Sequence, residues 1–226
     1  MTRSGMGCYT SPAIGGSFRR PGGRWVRIRD LIRLAAESDA EQMLAIYVPI
    51  VRETAISFEL EPPSLDEFWA RVRGTLERTP WLVCASDEEV LGYAYAGRYR
   101  PRAAYQWSVE VTVYVHGRHR GRGVGRALYT ALFECLRVQG YQSAYAAIAL
   151  PNPASVALHE RLGFELIGVY HAVGYKLGSW HDVGWWQLSI GEHLESPAEP
   201  KPLLEVQHSA EWRQALSSGE RWLNKA

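Results

Sequence analysis

The sequence predicts an α/β fold: a mixed, mostly antiparallel central sheet of about seven strands, with helices on both faces. Three observations predict it. Period-two apolar alternation marks strands in the first half of the chain. Helical apolar faces separate the later strands, as crossovers would. Ala144 to Leu150 is a near-continuous apolar run, the pattern of a strand buried on both faces.

Residues 1–30 are rich in Arg and Gly, with Asp30 the sole acidic residue, and read as a flexible leader. A plain tail, an over-long start and an organelle-targeting segment all fit that composition. Ile32 to Ala35 alternates as a short strand. Ser38 and Glu41 have the S-x-x-E spacing of a capping box. The helix so opened carries Met43, Ile46, Tyr47, Ile50 and Val51 on one face, and Pro49 is expected to bend or break it. A second box, Ser64 with Glu67, opens a helix with Phe68, Trp69, Val72 and Leu76 inward.

Trp81–Ala85 and Val90–Ala96, joined by a turn at 86–89, read as a hairpin. Val109, Val111, Val113 and Val115 then alternate with Ser108, Glu110, Thr112 and Tyr114, which sets Glu110 in the middle of the second face. A helix follows with Leu128, Ala131, Leu132 and Cys135 inward and Gly140 at its C-cap. After the apolar strand come a helix over 152–162 closed by Gly163, then strands over 164–170 and 183–190. Residues 31–191 form the expected domain. Residues 192–226 read as a tail in which Trp212, Ala215, Leu216, Trp222 and Leu223 supply an amphipathic turn or two.

Composition narrows the function. Lys and Arg number 25 against 24 Asp and Glu, for a net charge of +1, so no electrostatic case exists for nucleic acid or an anionic membrane as partner. No apolar run reaches the length of a membrane span. Three cysteines, Cys8, Cys84 and Cys135, match no zinc or disulfide framework, which fits a reducing cytoplasm. The histidines at 116, 119, 159, 171 and 181 are scattered, and no metal site is expected.

The sharpest signal is Arg118-His119-Arg120-Gly121-Arg122-Gly123-Val124-Gly125-Arg126. Glycines that turn the backbone into a helix start present N–H groups where the helix dipole favours phosphate. The closing Lys-Ser/Thr of a Walker loop is missing, and no suitably placed acidic residue supports a dinucleotide fingerprint. On the preceding loop, Arg98, Arg100 and Arg102 are guanidinium forks suited to a carboxylate or phosphinate. Phe58, Tyr93, Tyr105 and Trp107 are candidates for an apolar wall, though aromatics are core by default. Lys176 and His181 stand as rim candidates.

These residues resemble the GNAT acyltransferase superfamily. Arg120, Gly123 and Gly125 occupy its Gln/Arg-x-x-Gly-x-Gly/Ala phosphate signature, and Asn152, Ser155, Leu158, His159, Gly163 and Phe164 follow its second motif. A closer similarity, over 32–190, is to the phosphinothricin and methionine-sulfoximine acetyltransferases. It rests on Tyr93–Gly97, Arg100–Tyr105, Ser108–Val115, Ala157–Glu160, Ala172–Lys176 and Trp180–Val183. The resemblance implies an N-acetyltransferase that uses acetyl-CoA, needs no metal, and acts as a homodimer on the primary amine of a small amino-acid-like acceptor. Other amines, or coenzyme binding without turnover, remain alternatives. It implies coenzyme contacts from Thr112, Val113, Tyr114, Val115, Arg118, Arg120, Gly121, Arg122, Gly123, Val124, Gly125, Arg126, Asn152 and Ser155. Glu110 maps onto the family's catalytic carboxylate, which would deprotonate an ammonium before direct attack on the thioester. His159 stands where many relatives carry Tyr and would protonate the departing thiolate. A main-chain N–H near Thr112 or Val113 would meet the oxygen that gains charge. Acceptor contacts are expected from Phe58, Tyr93, Arg100, Arg102, Tyr105 and Trp107.

Overall fold

A computed structural model describes residues 17–19, 25–27, 31–86 and 89–223. The leader expectation falls mostly outside them. Inside it, β1 (Ser17–Arg19) and β2 (Trp25–Arg27) pair antiparallel as a ribbon of their own. The main sheet holds seven strands: β3 (Leu31–Leu34), β4 (Trp81–Ser86), β5 (Glu89–Arg98), β6 (Ser108–Val115), β7 (Ser143–Leu150), β8 (Glu165–Lys176) and β9 (Ser179–Ser189). Their spatial order is β3-β4-β5-β6-β7-β9-β8, and every neighbouring pair is antiparallel except β6 with β7. The expected mixed sheet is present.

One face of the sheet is covered by α1 (Ala40–Glu53) and α2 (Leu65–Leu76), which bury Met43, Ile46, Tyr47, Val51, Phe68 and Val72 against Trp81, Val83 and Tyr93. The other face is covered by α3 (Val124–Gln139), whose Leu128, Ala131, Leu132 and Leu136 pack on Val109, Val111 and Ala144. From α4 (Pro153–Arg161), Val156 and Leu158 join that second core. The alternation in β6 therefore does what its pattern predicts: the valines meet α3, and Glu110, Thr112 and Tyr114 face the α1 side.

The Ser64–Glu67 box forms, with Ser64 N–H donating to Glu67 Oε2 at 2.8 Å and Glu67 N–H to Ser64 Oγ at 3.3 Å. The Ser38–Glu41 box does not. Asp39 stands at the N-cap of α1 instead, without capping it through its side chain: its carboxylate accepts from Arg33 at 2.6 and 2.8 Å and from the Ala36 N–H at 2.8 Å, and α1 starts one residue later. Pro49 does not end α1, which continues to Glu53. The missing N–H removes a single bond, while Ile46, Tyr47, Ile50 and Val51 anchor the helix on both sides of it. The last two strands are longer than their apolar pattern, because bulges at 166–168 and 170–174 break the period without ending the pairing.

Past Gly191 the chain packs on α3. Short helices α5 (Leu203–Val206) and α6 (Ala210–Ser217) bury Leu203, Val206, Trp212 and Ala215 around Cys135, and a final 3₁₀ turn covers Glu220–Trp222. Among the described residues, no helix is long and apolar enough to cross a membrane.

Candidate active site

The site arises from a fault in the sheet. β6 and β7 pair only at Ser108–Ser143, Val109–Ala144 and Glu110–Tyr145, although the strands run on to Val115 and Leu150. Beyond Glu110 they part, leaving a cavity of about 260 Å³ bordered by Tyr95, Glu110, Val113, Tyr129, Ala147, Asn152 and His159. The β5 register, with His116 N–H donating to the Leu91 carbonyl, assigns the main-chain groups. Alternate residues of an edge point to alternate sides. Glu110, Thr112 and Tyr114 therefore bond toward β5, while Val111, Val113 and Val115 present theirs to the gap. Of the four β6 residues expected to hold coenzyme through the main chain, Val113 and Val115 are so placed and Thr112 and Tyr114 are not.

Glu110 stands where the parting begins, half-buried. Burial pushes its carboxyl pKa up, and the nearby Arg100 guanidinium pulls the other way. That Arg is held in place: its cation lies 4.4 Å from the Tyr99 ring centroid and 5.4 Å from that of Trp185, and it donates to the Tyr99 carbonyl at 2.9 Å. Tyr99 in turn stacks on Tyr145 at 4.2 Å, and Tyr105 meets it edge-on at 5.8 Å. An aromatic floor thus carries one cation beside one carboxylate.

His159 is 3% exposed. Its Nδ1 lies 2.8 Å from the Ser155 carbonyl, an acceptor only, so Nδ1 carries the proton and Nε2 accepts from the Tyr129 hydroxyl at 3.2 Å. Burial lowers its pKa, opposed by the Ser155 carbonyl, and the ring is neutral. A neutral imidazole whose single N–H is committed to Ser155 does not hand a proton directly to a thiolate, so the expectation for His159 is revised. The protic neighbour is Tyr129, a residue the sequence hid among the apolar positions of α3. Asn152 caps α4, its Oδ1 accepting from the Ser155 N–H at 3.2 Å, while its side lines the cavity.

The glycine segment turns as its composition demands. Gly121 and Gly123 have φ of +75° and +83°, and α3 begins at Val124. At Gly121 a Cβ would meet nothing within 4 Å, so the turn is open on that side. Such amides at the start of a sixteen-residue helix fit an anionic group. Arg120 donates to the Val115 carbonyl at 3.4 Å, tying the loop to the cleft. Arg118 and Arg122 are exposed. The histidines are less scattered than they look in sequence: ligand atoms of His116, His119 and Glu89 lie within 4.8 Å of one another. His119 bonds that carboxylate at 3.0 Å, and Arg118 stands 4.0 Å from the same oxygen, a cation where a metal ion would need space.

Several expected acceptor contacts lie elsewhere. Tyr93, 1% exposed, belongs to the aromatic core with Phe68 and Trp81. Trp107 donates its indole N–H to the Ala198 carbonyl at 2.7 Å and secures the segment after β9. Arg98 turns back on its own loop, bonding the carbonyls of Arg100 and Pro101. Arg102 is exposed. Phe58 packs over Gly174, where a Cβ would overlap its ring, and faces His181 at 6.3 Å. Lys176 is buried and donates to the Val51 and Ser57 carbonyls, both at 2.6 Å, fixing the loop that carries Phe58. Tyr95, which the sequence offers only within the family-like stretch Tyr93–Gly97 and not as a site residue, reaches the cavity after stacking on Trp81 at 3.9 Å, and burial pushes its hydroxyl up to about 12.

A parted parallel pair, a glycine turn at the helix beside it and a carboxylate at the fork define an acyl-transfer site. Residues 32–185 match the model of the acetyltransferase (GNAT) domain. The chain belongs to the GNAT acetyltransferase family. It is 41% identical over 175 residues to a phosphinothricin N-acetyltransferase of Streptomyces viridochromogenes, covering 77% of this chain and 93% of that one. It is 40% identical over 170 residues to an L-methionine sulfoximine/L-methionine sulfone acetyltransferase of Pseudomonas aeruginosa, covering 74% and 98%. A solved GNAT phosphinothricin acetyltransferase from Sinorhizobium meliloti, in complex with AcCoA, superimposes with a TM-score of 0.72 at 34% identity, covering 76% of this chain and 95% of that one.

Proposed function

We propose that this enzyme acetylates the primary amine of a small amino-acid-like acceptor, of the phosphinothricin or methionine sulfoximine kind, with acetyl-CoA as donor. The observation that carries the reading is the position of Glu110 at the fork of β6 and β7, with the stacked Arg100 beside it. Relatives named for both acceptors, at about 40% identity, support it.

Acetyl-CoA supplies an activated acetyl group as a thioester. The amides of Gly121 to Arg126 would hold its diphosphate, aided by Arg118, Arg120 and Arg122, and the free edge of Val113 and Val115 would hold its pantetheine amides as an added strand does. Arg100 binds the acceptor's carboxylate or phosphinate, and the floor of Tyr99 and Tyr145 positions its chain. Glu110 takes a proton from the acceptor ammonium, directly or through one water, which frees the lone pair for attack. The N–H of Val113 donates to the acetyl oxygen as charge develops on it. To donate toward the leaving sulfur, the Tyr129 hydroxyl turns from His159 Nε2, its partner before the reaction, and gives its proton to the thiolate. Among the described residues no thiol takes part as nucleophile: Cys84 and Cys135 are buried, and burial, seconded by Glu134, pushes Cys135 far above neutrality.

A homodimer completes this reading. On β8 and β9, Leu166, Ile167, Tyr170, Val173, Tyr175 and Trp180 are all at least half exposed, an apolar face on an edge hairpin that a second copy would cover. Sedimentation should give twice the chain mass, and a monomer at micromolar concentration would remove this part. The buried thiols of Cys84 and Cys135 and the donor's origin in metabolism favour the cytoplasm.

The test is an acceptor panel with released thiol as readout. Phosphinothricin and methionine sulfoximine should have the highest kcat/KM, above other amino acids, polyamines and aminoglycosides. A flat response to both would overturn the acceptor assignment, and no thiol release with any amine would overturn the enzyme reading.

A further inference from the structure

The match to the family model ends at residue 185, yet the chain goes on to cross the start of α3. Two glycines record how closely. At Gly219 a Cβ would overlap the Ala127 carbonyl, so only glycine lets the chain pass there. At Gly123, in the phosphate turn itself, a Cβ would lie 2.5 Å from the Trp222 carbonyl oxygen. Between these points the Arg126 guanidinium lies 3.3 Å from the centroid of the Trp222 ring, and Arg221 lies over the same ring at 5.3 Å. The crossing segment is anchored before and after: Trp212 is buried against Cys135, and Leu223 enters the core under α3.

We propose that this carboxy-terminal strap is part of the coenzyme site and that Trp222 is a positioning residue for it. It acts through two neighbours. Its carbonyl backs Gly123, which fixes the turn whose amides meet phosphate. Its indole face holds Arg126 against the first turn of α3, so a long, rotamer-rich cation is already ordered before the ligand arrives. The ligand is a phosphate ester of the coenzyme, either the diphosphate or the 3′-phosphate of its adenosine. The inference rests on the acetyl-CoA reading above and adds a segment that the family's matched span does not contain.

Trp222→Ala, Trp222→Phe, Arg126→Ala and the double variant Trp222→Ala/Arg126→Ala test it, with initial rates and calorimetric titration of CoA and dephospho-CoA. Trp222→Ala should raise KM for acetyl-CoA about tenfold, the loss of one well-placed charged contact, while kcat at saturation and the acceptor KM stay within about twofold. Trp222→Phe, which keeps an aromatic face, should restore most of the affinity. The double variant should bind no more weakly than Arg126→Ala, because the indole works through the guanidinium. If the tenfold penalty disappears with dephospho-CoA, the 3′-phosphate is the group held; if it persists, the diphosphate is. An unchanged KM in Trp222→Ala, with or without a lower melting temperature, overturns the proposal and leaves the function standing. So does a double variant whose penalties multiply. Wild-type protein that binds no CoA would overturn the strap and the acetyl-CoA reading together.

Discussion

Replacing Glu110 by Gln keeps the shape of the side chain and removes its ability to take a proton. General bases contribute about 10²–10⁴ in rate. The cavity at Glu110 opens to solvent, where water and hydroxide partly replace a lost base, which places the expected loss near the lower end, about 10²-fold in kcat, or about 2.7 kcal/mol of barrier. KM for acetyl-CoA should hardly change, since the diphosphate turn lies at the far end of β6. The pH profile is more telling than the rate. Burial raises the Glu110 pKa in the folded protein, so the wild-type rate should climb through a limb centred above that of an ordinary glutamate and level off once Glu110 is ionised. In Glu110→Gln that limb should vanish, leaving a low rate that follows the free-amine fraction of the acceptor. Thiol release measured from pH 5 to 9 at saturating acetyl-CoA decides it. A variant within threefold of wild type, or one that keeps the acidic limb, would show that Glu110 is not the base.

Arg100→Gln removes the cation that opposes the raised Glu110 pKa, so the acidic limb should move to higher pH and the acceptor KM should rise at least tenfold; an unmoved limb would separate the two groups. Tyr129→Phe should lower kcat about tenfold or more with both KM values unchanged, while a similar loss in coenzyme affinity would mark Tyr129 as merely packing. Gly174→Ala forces the Phe58 ring aside and should cost about 1–3 kcal/mol in chemical denaturation while both KM values stay unchanged; a shifted acceptor KM would return Phe58 to the site. Lys176→Met strips two buried carbonyls of their donor and should cost about 1–3 kcal/mol in chemical denaturation; a smaller shift would mean that water replaces the ammonium.

What could be read in advance follows from how local each signal is. Four alternating valines state which face of β6 meets the core, and that alone sets Glu110 on the opposite face. The glycine turn and the Ser64–Glu67 cap are similarly local, decided by residues within a few positions. The fork of β6 and β7 is not: it depends on how far a strand at 108–115 pairs with one at 143–150, which no spacing encodes. Tyr129 occupies a helical apolar position, and only the approach of α4 shows that its hydroxyl meets His159. Trp107 and Tyr93 looked like wall residues because aromatic content does not say which face a ring lands on. Glu89 joins His116 and His119 only through the pairing of β5 with β6. Asp39 displaced Ser38 at the start of α1 because Arg33, six residues back on β3, reaches it, a tertiary contact overriding a four-residue pattern.

A crystal structure with acetyl-CoA and a slow acceptor analogue tests the central claim most directly. The thioester should lie in the gap between Val113 and Ala147, with the diphosphate on the amides of Gly121 to Arg126 and Glu110 within one hydrogen bond, or one water, of the acceptor nitrogen. Coenzyme bound on another face of the sheet, or an acceptor nitrogen served by a different group, would contradict it.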